Sequence, residues 1–141
     1  MENKILEQIK NSEADMLGTL EKLVNIDSGY DAIEGTAEIA HIVGDFLTPY
    51  GFEVQYLETP NAPTHVLAKR PRPGKKKVML MGHMDTVFAK GTAAARPFKV
   101  ADGKAYGPGV MDMKAGIVLS LYTVKALLDN GWDDTDLTLF F

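Results

Sequence analysis

The feature that most constrains the fold is a short, fully apolar run at Val78 to Met81. It follows three lysines and precedes the polar sequence GHMDTV. A run this short and this apolar is typical of a strand buried on both faces, and such strands occur in α/β domains whose sheets are covered by helices. The run therefore predicts an interior strand that delivers GHMDTV to the carboxyl edge of a sheet, where ligands bind in open α/β folds.

The rest of the chain alternates between helical and strand patterns. Apolar residues at helical spacing predict helices from Ser12 through Val24, from Ile39 to Leu47 and from Ile117 to Leu128, and Ser12 with Asp15 resembles a capping box. Shorter runs predict strands near residues 52–56, 66–69 and 137–141, and a small hairpin within residues 98–106. Because helices and strands alternate, we expect a three-layer α/β/α domain with a mixed, mostly parallel sheet.

Composition limits the functions that such a domain can have. The 141 residues include no cysteine and three histidines, so a metal ion would be held by histidine and carboxylate. No run approaches the roughly 20 apolar residues of a membrane span, and the first residues do not form an apolar signal region. We therefore expect a cytoplasmic protein with no membrane partner. The net charge of -4 argues against a general nucleic-acid binder.

One segment, KRPRPGKKK at residues 69–77, is locally basic and offers an alternative function as a nucleic-acid module. Two prolines and a glycine interrupt it, and no aromatic residue is interleaved for base stacking. The favoured interpretation is a solvated turn between two strands, without a nucleic-acid partner.

Two places in the sequence carry residues suited to metal chemistry. His83 and Asp85 are two residues apart, so they point to the same side if the strand geometry continues that far. A histidine that binds a metal usually donates its other ring N–H to a carboxylate or carbonyl, and Asp85 is placed for that role. The alternative is that His83 ends a strand and Asp85 begins a turn.

Asp112 stands just before the third predicted helix and is the second candidate. Aspartate is a preferred N-cap residue, so capping alone is an alternative explanation. Capping does not explain Gly107, Pro108 and Gly109, which suggest an unusual backbone path immediately before the acid. Lys114 is interpreted as a solvated or locally paired lysine of the first helical turn, and His41 and His65 as background.

In this order and at this separation, GHMDTV, PFKV and KAYGPGVMDMKAG resemble the metal-site signature of two-zinc metallopeptidases. That family includes glutamate carboxypeptidases, acetylornithine and succinyl-diaminopimelate deacylases, and aminoacylases. HMDTVF followed by ARPFKV makes the glutamate carboxypeptidase branch the most similar. Ala115 departs from many relatives, which have glycine there.

The resemblance implies a zinc-peptidase-like fold and a role for each candidate. His83 would be a terminal ligand of one zinc, Asp85 the acid that orients its imidazole, and Asp112 a carboxylate bridging two zinc ions, with cobalt or manganese as alternative metals. The substrate would be a small peptide or an N-acyl amino acid, and the parent protein a homodimer. By the same resemblance, the peptide bond between Asp112 and Met113 should be cis.

The chain ends within an apolar run, Leu137 to Phe141, so we expect residues 1–141 to be the N-terminal part of the catalytic domain. Relatives place a Glu-Glu pair, further ligands and a dimerisation domain beyond this point. On this basis the 141 residues alone should be inactive. A catalytically silent relative used for binding or assembly is the alternative.

Overall fold

The computed structural model describes residues 2–141. Five helices occur in it, and they are α1 (Glu2–Asn11), α2 (Glu13–Val24), α3 (Ile33–Leu47), α4 (Thr92–Ala95) and α5 (Ala115–Asp129). Six strands accompany them, and they are β1 (Glu53–Leu57), β2 (His65–Arg70), β3 (Lys76–Met81), β4 (Lys99–Ala101), β5 (Lys104–Tyr106) and β6 (Thr135–Phe140). The strands form a four-stranded sheet in the order β1-β2-β6-β3 and a separate β4-β5 hairpin.

The mixed sheet and the α/β class are confirmed, but antiparallel pairs outnumber parallel ones within the described residues. β1 pairs with β2 and β2 with β6 in antiparallel register, whereas β6 and β3 are parallel. The short loop after β1 can only reverse the chain, while the parallel pair needs a crossover. The connection from β3 to β6 provides that crossover, since it contains α5.

The core lies between one face of the sheet and the helices. Val66 and Ala68 of β2 and Leu137 and Leu139 of β6 are buried on that face, in one cluster with apolar residues of α2, α3 and α5. Alternation along each strand places their neighbours on the other face. One of the two helical layers expected for a three-layer domain is therefore seen within residues 2–141.

The prediction that Val78 to Met81 form an interior strand is wrong within the described residues. β3 is an edge of the sheet, and Met79 and Met81 are 57% and 68% exposed on the face away from the core. The apolar run in β3 allows both faces of the strand to be buried. It does not identify the segment that would cover the face carrying Met79 and Met81.

Two residues were predicted to end or begin helices; the prediction for Gly51 is confirmed and that for Ser12 is wrong. Gly51 adopts the left-handed conformation expected after α3, with φ of 78°. Ser12 makes no capping bond to α2, because its hydroxyl donates to the carbonyl of Gln8 at the end of α1. Helix α1 precedes the first predicted helix, and its sequence ENKILEQIKN mixes charged and aliphatic residues. Across residues 2–141, none of the helices has the length and apolar character needed to cross a membrane.

Candidate metal centre

The three predicted site residues come together beyond the carboxyl end of β3. His83 follows β3 by two residues, and Asp112 lies in the irregular turn Val110–Lys114 that leads into α5. The Nε2 atom of His83 is 2.9 Å from Oδ1 of Asp112. Its Nδ1 atom is 3.1 Å from the carbonyl oxygen of Asp85 and 3.3 Å from Oδ1 of the same residue. The predicted convergence of these residues is therefore confirmed.

Asp112 does not cap α5. The first turn of that helix has no side-chain capping bond, and the carboxylate of Asp112 is turned toward His83. The Asp112–Met113 peptide is cis, as the resemblance implied. The side chain of Met113 also reaches the site, because its sulfur accepts the backbone N–H of His83 at 3.3 Å.

The glycines before Asp112 are explained by close packing. Gly107 has φ of 148°, and a Cβ atom there would lie 2.4 Å from a methyl group of Val24. Gly109 has φ of 73°, and its Cβ would lie 2.6 Å from a methyl group of Thr86. Both conformations favour glycine, and both contacts leave no room for a side chain. The unusual backbone path expected before Asp112 is thus present, and it brings the Asp112 turn against α2 and the loop after His83.

The hydrogen bonds of His83 shift its protonation. Partial burial alone would lower the pKa of His83. The bond to Asp112, the contact with the Asp85 carbonyl and the charges of both aspartates outweigh it and raise the pKa above 6.5. Both ring nitrogens face acceptors, so only the doubly protonated ring can donate to both. In the metal-free site, His83 is therefore biased toward its charged form.

The available ligand atoms are of the types that bind zinc, but they are fewer than a zinc site needs. An imidazole nitrogen and a carboxylate oxygen are ordinary zinc ligands, and the Nδ1 side of His83 has the carbonyl and carboxylate contacts usual for a metal-binding histidine. A zinc site takes about four ligands. Within residues 2–141, no group of three or more histidine, cysteine or acidic side chains is arranged to hold one ion. His83 and Asp112 would thus supply part of a coordination shell.

Other candidate residues lie away from this site. His41 stacks on Tyr56 and His65 on Phe140, which agrees with their interpretation as background. The basic run is partly neutralised within the chain. Arg70 and Arg72 both pair with Asp133, and Lys75 pairs with Asp134. These pairs reduce the positive charge that the run presents to a polyanion.

The sequence also matches known proteins along most of its length. A model described as peptidase family M20/M25/M40 matches residues 79–141, which include His83, Asp85 and Asp112. Carboxypeptidase G2 from Pseudomonas sp. (strain RS-16) is 36% identical over 135 residues, which is 94% of this chain and 32% of that protein. These similarities are consistent with the M20/M25/M40 peptidase family.

Two further similarities were found, one in sequence and one in fold. Succinyl-diaminopimelate desuccinylase from Corynebacterium glutamicum is 41% identical over 75 residues, which is 53% of this chain and 20% of that protein. Human carnosine dipeptidase 1 has a TM-score of 0.85 and 21% identity, over 99% of this chain and 34% of that one, and so shows the shared fold. The chain spans about a third or less of the length of the curated relatives it matches.

The sequence patterns do not identify two buried polar residues, Lys114 and Ser28. Lys114 is 1% exposed instead of solvated, and its Nζ donates to the carbonyls of Leu23 and Ile26 at 2.8 Å each. Burial lowers the pKa of Lys114 to about 8, against the raising effect of the Asp27 charge. Ser28, also 1% exposed, donates to the carbonyl of Met84. Both partners are backbone atoms distant in sequence, so no local pattern indicates these contacts.

Proposed function

We propose that these 141 residues form the N-terminal part of the catalytic domain of a zinc-dependent amidohydrolase. The enzyme would cleave an amide bond of a peptidyl or N-acylated amino acid, in the manner of a glutamate carboxypeptidase. The observation that carries the proposal is the placement of His83 between two acids. Its Nε2 faces Asp112 at 2.9 Å while its Nδ1 is held by Asp85. The match to the M20/M25/M40 peptidase family and the similarity to carboxypeptidase G2 and succinyl-diaminopimelate desuccinylase support this reaction class.

Each residue has a defined role in this proposal. His83 would hold zinc through Nε2, Asp112 would be a carboxylate ligand shared between the proposed two ions, and Asp85 would keep the imidazole in one orientation and tautomer. Bound zinc would supply Lewis-acid polarisation of the substrate carbonyl and activation of water. The remaining ligands and the general base are proposed to lie in the part of the enzyme that corresponds to the unmatched two-thirds of its relatives. A homodimeric, cytoplasmic parent stays a prediction.

Zinc titration of the 141-residue chain tests the metal site. We expect binding much weaker than the roughly 10–16 kcal/mol of complete structural zinc sites, because only His83 and Asp112 supply ligands. His83→Ala and Asp112→Asn should each abolish it. His65→Ala is the matched control, since His65 lies on the sheet and should leave binding unchanged. Absence of binding in the wild-type chain would contradict the assignment of His83 and Asp112 as metal ligands.

A peptidase assay on a glutamyl dipeptide, run in excess zinc, tests the assignment of the missing groups. General-base assistance is typically worth roughly 10²- to 10⁴-fold in rate, and no candidate base is proposed within these residues. We therefore expect no detectable turnover. Turnover that disappears in Asp112→Asn would show instead that the site is completed within the 141 residues.

A further inference from the structure

The two halves of the candidate site are bonded to the same short piece of chain. This piece, residues 23–28, consists of the last two residues of α2 and the loop that follows, and we call it the 23–28 segment. One half of the site contains His83 and Asp85 after β3, and the other contains Asp112 before α5. In the sequence, 26 residues lie between Asp85 and Asp112. Their relative position must therefore be set by tertiary contacts.

Lys114 makes the connection on the Asp112 side. Its ammonium group donates to the carbonyls of Leu23 and Ile26, both at 2.8 Å, and it is 1% exposed. The Leu23 carbonyl lies in the last turn of α2 and the Ile26 carbonyl two residues beyond it, where the helix dipole attracts a cation. Burying an ammonium group is costly, so Lys114 adds little net stability compared with an apolar side chain of the same length. Its two bonds do fix the distance between the Asp112 turn and α2.

Ser28 makes the connection on the His83 side. Its hydroxyl donates to the carbonyl of Met84 at 2.9 Å, and its own carbonyl accepts the N–H of Thr86 at 2.9 Å. Met84 and Thr86 flank Asp85, so the two bonds hold the backbone on both sides of that residue. The backbone carbonyl of Asp85 in turn contacts Nδ1 of His83. Ser28 thus controls the orientation of the imidazole without touching it.

We propose that Lys114 and Ser28 are positioning residues that use the 23–28 segment as a common platform to hold Asp112 and His83 in ligand geometry. The metal role of the pair rests on the proposed function, whereas the geometric role is measurable in the metal-free chain. Replacing Lys114 or Ser28 by a side chain that cannot form these bonds should disturb the contact between His83 and Asp112. The disturbance should exceed that caused by a buried substitution elsewhere that lowers the free energy of unfolding by a similar amount.

The test compares Ser28→Ala and Lys114→Met with Thr36→Val in the 141-residue chain. Thr36 is the matched control because it is 1% exposed and its hydroxyl donates to a carbonyl, that of Ile33, within its own helix. Ser28→Thr keeps the hydroxyl and should restore the wild-type behaviour. Urea unfolding measures the free energy of unfolding of each variant. If Lys114→Met does not fold, Ser28→Ala still tests the proposal, because it is the smaller change.

The first readout is the ¹⁵N–¹H spectrum of the His83 ring without metal. We expect both ring nitrogens to move toward the values of an unbonded imidazole in Ser28→Ala and Lys114→Met, with no change in Thr36→Val at a similar loss of stability. The second readout is zinc affinity, which should fall about 10- to 100-fold, as is typical when partners of metal ligands are removed. Thr36→Val should retain it.

Unchanged His83 spectra in folded Ser28→Ala, or equal changes in Thr36→Val, would overturn the positioning role. Failure of the proposed function is a separate result. If the wild-type chain binds no zinc while the ring spectra change as expected, the positioning role stands and the metal assignment falls. If zinc binds through His83 with the same affinity in every folded variant, the metal assignment stands and the positioning role falls.

Discussion

At the scale of single residues, the charge state of His83 links the fold to the metal. Both of its ring nitrogens face oxygen acceptors, so the folded chain favours the charged ring, while a metal can bind Nε2 only after its proton leaves. Protons and zinc therefore compete for the same atom. The folded pKa of His83 is raised above its unfolded value of 6.5. The stabilising effect is fully present below that unfolded value and is lost as the pH rises through the folded pKa.

We predict that Asp112→Asn lowers the pKa of His83 in the metal-free chain, because the substitution removes a negative charge and a hydrogen bond from Nε2. An NMR titration of the His83 ring measures this directly, and zinc affinity of the wild-type chain should increase with pH over the same range. Asp102→Asn is the control. Asp102 has φ of 51° at the tip of the β4-β5 hairpin, a conformation that asparagine tolerates. An equal change in both variants would contradict the assignment.

At the scale of elements, the surroundings of Gly18 in α2 and Gly35 in α3 differ sharply. Gly18 in α2 has nothing within 4 Å of an added Cβ, whereas a Cβ on Gly35 in α3 would lie 1.7 Å from the carbonyl oxygen of Asp27. Both glycines are helical, so their intrinsic propensities are the same. The difference between them comes from packing alone, and Gly35 lets α3 approach the 23–28 segment.

We predict opposite effects of alanine at these two positions. Gly18→Ala should stabilise the chain by about 0.5–1 kcal/mol, because alanine loses less backbone entropy in a helix. Gly35→Ala should destabilise it by roughly 1–3 kcal/mol, because a backbone oxygen must move to make room. Urea unfolding monitored by circular dichroism measures both. A stabilising Gly35→Ala would show that α3 does not pack against the 23–28 segment as described.

At the scale of the whole molecule, the sheet has one buried face and one face with exposed apolar residues. Met79 and Met81 lie on the second face, and β3, which carries them, is an edge strand of the described sheet. Exposed apolar side chains on an unpaired strand edge are a common cause of self-association.

We predict that the 141-residue chain self-associates at high concentration and that Met81→Lys reduces the association, because a lysine on an edge strand opposes pairing with another strand. Sedimentation velocity over a range of concentrations measures it. Leu119→Lys is the control, since Leu119 is 57% exposed on α5, away from the edge strand. A monomeric wild-type chain, or an equal effect of Leu119→Lys, would contradict this prediction.

Most of the helices and strands, and the residues of the candidate site, could be predicted from local sequence patterns. The helical spacing of Leu17, Leu20 and Val24 and the short apolar runs located most helices and strands, because side-chain periodicity is a local property. His83, Asp85 and Asp112 were found by residue type and position beside a strand and a helix. Local signals failed where a competing partner lay nearby, as at Ser12, whose hydroxyl bonds to α1 instead of capping α2.

The residues that connect the two halves of the candidate site could not be predicted from local patterns, because their contacts form only in the folded chain. Lys114 and Ser28 have ordinary local contexts, and their importance depends on carbonyls of residues distant in sequence. The same holds for Gly35, whose role is set by one oxygen of a neighbouring loop. The position of β3 at the edge of the described sheet could likewise not be predicted. An apolar sequence indicates that a strand can be buried, but it does not identify the neighbouring segment that covers it. Contacts between distant segments depend on the assembled packing, and no periodicity within one segment encodes them.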